Sequence, residues 1–157
     1  MIKKLTIFIF IIFGLTNCGY SPMYSDNNDM NFEIYEYELE GDTEVNNAIE
    51  NKLKKYLNNN SKTKYIIKLE SNYEKISATK DRTGSTTHFK LVVNLKLIYE
   101  KIGSEQKKAK KEASFSESLI IKKNTDNFEQ NDYERITIKN ISELLFNKVI
   151  LYLARSS

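Results

Sequence analysis

The sequence predicts an α+β domain: a four-stranded mixed or antiparallel sheet with two helices packed on one face, in the order βαβββα. Three observations lead there. Four segments alternate apolar and polar residues with the period of a strand. Two others repeat apolar residues at helical spacings of three and four. Short polar breaks lie between them.

Length and composition bound the rest. The chain has 157 residues, the size of one domain. Apolar residues make up 40% and charged residues 29%, enough apolar material for a core. There is one Cys, one His and no Trp. Two Cys are needed for a disulfide, and structural zinc sites use four Cys or His ligands, so both are excluded within one chain. The formal net charge is +3. This is not the strongly basic footprint of a nucleic-acid binder, and no nucleic-acid partner is expected. Lys, Asn and Ile are abundant, as the codons of an AT-rich genome favour. Single lysines therefore carry little weight.

Residues 1–17 read as an address. Met1-Ile2-Lys3-Lys4 is a positive start, and Leu5 to Leu15 is an apolar run broken only by Thr6 and Gly14. A spanning helix needs roughly 20 apolar residues, so this run has the length of a secretory signal. Leu15-Thr16-Asn17-Cys18 resembles a bacterial lipobox, with Asn17 in place of the usual small residue. Cys18 is expected to carry a diacylglycerol on its thiol and an N-acyl chain such as palmitate on its freed amine. No other cofactor is expected. Two or three acyl chains anchor a protein stably, at about 0.8 kcal/mol per buried CH₂. Gly19 follows where an inner-membrane retention signal would place Asp, which favours the outer membrane, on its periplasmic face. Cleavage removes Lys3 and Lys4 and leaves 22 basic against 21 acidic side chains.

Residues 18–30 form a polar tether containing the only proline, Pro22. Residues 31–157 then read as the single α+β domain. Phe32 to Leu39 is the first strand, where Phe32 and Ile34 keep one parity and Tyr35, Tyr37 and Leu39 the other. That frame switch near Ile34 predicts a bulge or a shift of covered face. Gly41-Asp42-Thr43 breaks the chain and offers Asp42 or Thr43 as a helix cap. Glu44 to Asn58 has one apolar stripe through Val45, Ala48, Ile49, Leu53, Tyr56 and Leu57. Lys64 to Ile76 alternates again, Ser77 to Thr87 reads as a polar loop, and His88 to Tyr99 alternates most clearly of all. Glu100 to Glu105, with Gly103, reads as a hairpin turn into Gln106 to Ile121. Asn124 to Asp132 is polar, and a helical pattern runs from about Tyr133 to the C-terminus.

Few residues invite catalytic chemistry. His88 opens a strand on its polar face and reads as an ordinary surface histidine. Glu33, Glu36 and Glu38 offer carboxylates of the kind that hydrolyse glycosides, but Glu36 and Glu38, two on one strand face, more simply form a solvated edge. The densest basic run is Lys107, Lys108, Lys110 and Lys111, with Lys80 and Arg82 in the preceding loop. It reads either as a lysine-blunted edge strand or as a binder of phosphates.

Cys18-Gly19-Tyr20-Ser21-Pro22-Met23-Tyr24, followed by this element order, resembles the LptE family of lipopolysaccharide-assembly lipoproteins, in its alphaproteobacterial form. Cys18, Gly19, Tyr20, Pro22, Met23 and Tyr24 match the family's opening string position by position. The resemblance implies a non-enzymatic outer-membrane lipoprotein that assembles with and plugs an LptD-type β-barrel for lipopolysaccharide insertion into the outer leaflet. It also implies lipopolysaccharide binding, with Lys80, Arg82, Lys107, Lys108, Lys110 and Lys111 as the candidates. A polar sheet face suits such a plug, because the lumen of this class of barrel is polar. Behind this reading stand an accessory lipoprotein of barrel assembly or envelope scaffolding, and a carboxylate-dependent glycan hydrolase.

Overall fold

The computed structural model describes residues 32–58, 60–102 and 110–157. The expected signal peptide, the expected tether with Cys18, the expected turn at Gly103, and Lys107 and Lys108 lie outside the described residues. Strand β1 (Phe32–Gly41) leads into helix α1 (Thr43–Leu53) and a short 3-10 turn (Lys54–Tyr56). Strands β2 (Thr63–Lys80), β3 (Thr86–Ile102) and β4 (Lys111–Lys122) follow, and helix α2 (Asn127–Arg155) closes the domain. The sheet order is β1-β2-β3-β4. β1 runs parallel to β2, while β2–β3 and β3–β4 are antiparallel. The sheet is therefore mixed, because α1 carries the chain back along the sheet before β2 begins.

Both helices lie on one face. Tyr65, Ile67 and Leu69 of β2 and Leu91, Val93, Leu95 and Leu97 of β3 bury that face completely or nearly so. Val45, Ile49 and Leu53 of α1 and Leu145, Phe146, Val149 and Leu153 of α2 meet them. Burial of each such side chain stabilises by about 1.5–3 kcal/mol, so this layer is the main source of stability.

The predicted bulge is present. β1 shifts register between Ile34 and Glu36, leaving Tyr35 without an opposite residue. The insertion returns Tyr37 and Leu39 to the face of Phe32 and Ile34, opposite Ile67 and Leu69. The same shift sets Glu33, Glu36, Glu38 and Glu40 together on the opposite face.

Three boundaries differ from the sequence reading, each for a local reason. β2 continues through Ser77 to Lys80, so only 81–85 turn. Asp81 makes that short turn sufficient: its carboxylate accepts from the Thr83 and Ser85 backbone amides at 2.8 and 3.0 Å and from the Thr83 hydroxyl at 2.6 Å. The Thr83 hydroxyl, followed by the turn's backbone amides, holds that carboxyl below its ordinary pKa. The first helix ends earlier, at Leu53, and the chain reaches β2 through Asn58 and Asn60, both at positive φ. The last helix begins at Asn127 rather than Tyr133. Asp126 caps it, accepting from the Phe128 and Glu129 amides at 2.7 and 3.1 Å. Its first turns bury Gln130 and Glu134 in place of apolar residues, so periodicity does not reveal them.

Candidate functional site

The sheet face away from the helices is left open, and its chemistry follows from strand register. Glu33 faces Lys64, Glu38 faces Lys68, and Lys96 lies between Glu70 and Glu112's neighbours on β4. The side chains close these into ion pairs. Lys68 Nζ is 2.6 Å from Glu40 and 3.7 Å from Glu38, and Lys96 Nζ is 3.1 Å from Glu112 and 3.9 Å from Glu70. The Lys68 ammonium lowers the Glu40 carboxyl, and Glu40 in turn raises Lys68. Glu40 is exposed and Lys68 half-buried, and pairs this open to solvent are worth little in stability. Their effect is to make this face wettable while giving each carboxylate of the cluster a cationic neighbour. Ile66 and Ile98 sit among them and floor a shallow groove of about 670 Å³, bordered by Glu36, Lys68 and Glu112.

A second groove, of about 780 Å³, lies where the start of α1 faces the first half of α2. Asp42, Glu44, Asp132, Glu134 and Arg135 line it, with Tyr73 of β2 and Phe128. Its wall is a polar cluster that sequence reasoning missed. Glu134 accepts from Gln130 Nε2 at 2.5 Å and from Lys75 Nζ. The Lys75 ammonium also stands 4.2 Å from the centre of the Phe89 ring. The only available signal was the i,i+4 pair Gln130 and Glu134, which the polar run around it hides. Beside the cluster, the buried Tyr73 hydroxyl has no hydrogen-bond partner among the described residues. Burial, followed by the nearby Glu134, Glu44 and Asp42 carboxylates, pushes it up to about 12. Tyr73→Phe removes an unsatisfied buried oxygen and keeps the ring. It is expected to leave stability unchanged or raise it by about 1 kcal/mol, read by urea unfolding.

The predicted site residues do not converge. Lys80 and Arg82 flank or occupy the β2–β3 turn, fully exposed. Lys110 and Lys111 lie at the opposite end of the sheet, where Lys111 pairs with Tyr99 while Lys80 pairs with Thr86. The distance along β3 between these two points is roughly 45 Å. One ligand headgroup therefore cannot span both groups. His88 is half-buried opposite Lys122, with Nδ1 3.1 Å from the Thr87 hydroxyl. Glu36 and Glu38 are exposed, whereas Glu33 is buried with its carboxylate 3.5 Å from Lys64. Among the described residues no three His, Cys, Asp or Glu side chains are grouped to hold a metal. No described helix is long and apolar enough to cross a membrane.

A mixed four-stranded sheet with two helices on one face and an ion-paired open face defines the domain as an α+β fold. Solved structures share that fold. Rare lipoprotein B from Shewanella oneidensis superposes with a TM-score of 0.58 at 12% identity, over 77% of this chain and 95% of that one. A minor lipoprotein from Acinetobacter baumannii gives 0.53 at 11% identity, over 81% and 92%. At these identities the likeness is one of fold. No protein-family model and no curated protein matches the sequence.

Proposed function

We propose that this chain is an LptE-like lipoprotein of the outer membrane, anchored through acyl chains on Cys18. It assembles with and plugs an LptD-type β-barrel for lipopolysaccharide insertion, and binds lipopolysaccharide as a second role. The observation that carries this reading is the open sheet face. A plug must bury a broad surface against a polar lumen without stranding charge. Here Lys68 and Lys96 bridge Glu38, Glu40, Glu70 and Glu112, so that no carboxylate of this cluster lacks a cationic neighbour. The fold shared with the two solved lipoproteins and the Cys18-Gly19-Tyr20 start support the same reading.

The test is co-purification from detergent-solubilised envelopes through a tag after Ser157. A stoichiometric outer-membrane barrel of LptD type is the expected result, and its absence sinks the proposal. Intact mass of the mature chain reads the anchor separately: acylation predicts a chain beginning at Cys18 with two or three acyl groups.

A further inference from the structure

We infer that the end of the domain at which β1 begins is a docking surface for anionic phospholipid headgroups beside the anchor. The inference rests on the reading of Cys18 as the lipidated residue.

Strand pairing gathers the relevant groups. Phe32 stands opposite Thr63, Lys64 opposite Ile102, and Tyr99 opposite Lys111. The start of β2, the end of β3 and the start of β4 therefore share one sheet end, and bring Lys62, Lys64, Lys101, Lys110 and Lys111 there. Arg155 joins them from the end of α2, which is fastened at this place. The Tyr65 hydroxyl donates to the Leu153 carbonyl at 3.4 Å, and Tyr152 packs edge-on against Tyr99 and Phe115 with ring centres 5.8 Å apart.

Charge at this end is not matched. Lys64 reaches Glu33, but Lys62, Lys101, Lys110, Lys111 and Arg155 form no ion pair among the described residues. Of the acids at this end, Glu33 is committed to Lys64 and Glu112 to Lys96, leaving Glu36 and Glu100, in register on either side of Ile66, against those five cations. The other end is different. Asp81, Asp126 and Glu129 lie there among Lys80, Arg82, Lys122 and Lys123, while Asp132 pairs with Arg135 and Glu134 with Lys75. A chain of almost neutral mature charge thus has a basic end and a far end in which the signs are mixed.

The basic end is also the tethered end. Phe32 is 14 residues beyond Cys18. A chain of that length spans about 50 Å at most. Attraction to an anionic leaflet decays within about 8 Å at physiological salt. Among the described cations, those at this end come within that range most readily, since the β2–β3 turn stands roughly 45 Å away along β3. Tyr35 adds the aromatic component usual at a headgroup layer: it is 60% exposed, with Lys64 Nζ 5.4 Å from its ring centre. Contact here would stand the strands upright on the leaflet and direct the 81–85 turn away from it.

The test uses the mature lipidated chain in vesicles of phosphatidylcholine alone or with phosphatidylglycerol at about one lipid in three. A donor fluorophore is placed at Ser157→Cys, beside the basic end, or at Arg82→Cys in the far turn, with an acceptor on the lipid headgroups. Higher transfer from position 157 than from 82, appearing with phosphatidylglycerol and abolished by 0.5 M salt, is the expected result. The Lys62→Gln, Lys101→Gln, Lys110→Gln, Lys111→Gln quadruple variant should lose it, with affinity for anionic vesicles falling about tenfold or more. Unchanged melting by circular dichroism shows that the variant is folded. Equal transfer on both vesicles, or an unaffected quadruple variant, overturns the proposal. So does an effect seen only when lipopolysaccharide replaces phosphatidylglycerol at equal surface charge. If intact mass shows no acylation, the anchor reading fails by itself. Sedimentation of the same chain with the two vesicle types then decides whether the basic end binds.

Discussion

Gly41→Ala is expected to destabilise the domain by about 3 kcal/mol or more, the largest effect of any single-methyl addition. Two causes coincide. Gly41 has φ of +102°, a conformation that L side chains rarely adopt. A Cβ there would also lie 1.9 Å from the Ser71 carbonyl oxygen, an immovable backbone atom in the middle of β2. The close approach has a structural purpose. β1 ends at Gly41 while still paired with Ser71, and Asp42 must turn at once to cap α1. The Ser71 hydroxyl, 2.8 Å from Asn46 Oδ1 and 3.1 Å from the Glu40 carbonyl, ties the same corner together. Gly84→Ala is the internal control. Its φ is also positive, at +83°, but nothing lies within 4 Å of the added carbon. It should cost about 1 kcal/mol, by strain alone. Urea unfolding of the two variants separates the contributions: similar losses would refute the clash at Gly41.

Phe146→Ala should cost about 3–5 kcal/mol, with the denaturant slope unchanged. Phe146 is completely buried on α2 and meets the Tyr56 ring edge-on at 5.9 Å. Tyr56 in turn stacks on Phe32, and Phe32 packs against Tyr65 at 5.7 Å. Removing the ring opens a cavity between both helices and the start of β1, where large side chains from three elements cannot all move inward. The double variant with Tyr56→Ala should lose less than the sum of the single losses, because both remove the same contact. Exact additivity would mean that the two rings do not support each other.

Much of this fold was legible from residue pattern. The bulge at Tyr35 was visible because alternation is strict: a strand covered on one face cannot change frame without an extra residue. α1 was visible from Val45, Ala48, Ile49 and Leu53, and its cap from Asp42. The start of α2 was not, since Gln130 and Glu134 are buried by bonding each other, the Asn124 amide and Lys75 of β2, and hydrogen bonding of that kind leaves no apolar period. The length of β2 was hidden for a related reason. Residues 77–80 are polar and exposed, and they are strand only because β3 supplies their partners.

The candidate basic site shows the same division. Local composition singled out Lys107, Lys108, Lys110 and Lys111, and placed Lys80 and Arg82 near them. Strand direction separated the two groups and brought Lys62, Lys101 and Arg155 to the first instead. Likewise, the glutamates of β1 looked like a solvated edge, and register matched two of them with Lys68.

By itself the sequence determined the element order, the covered face of each strand, the helix stripes and the position of one bulge. All of these depend on neighbours within a few residues, where spacing alone decides which side chains share a face. Only the tertiary structure decided that β1 runs parallel to β2, that Lys68 and Lys96 bridge the carboxylates of the open face, and that Lys62, Lys101, Lys110 and Lys111 gather at the end where β1 begins. Those properties depend on which distant residues are placed opposite one another, and pairing across strands is set by the collective burial of the core rather than by any local period.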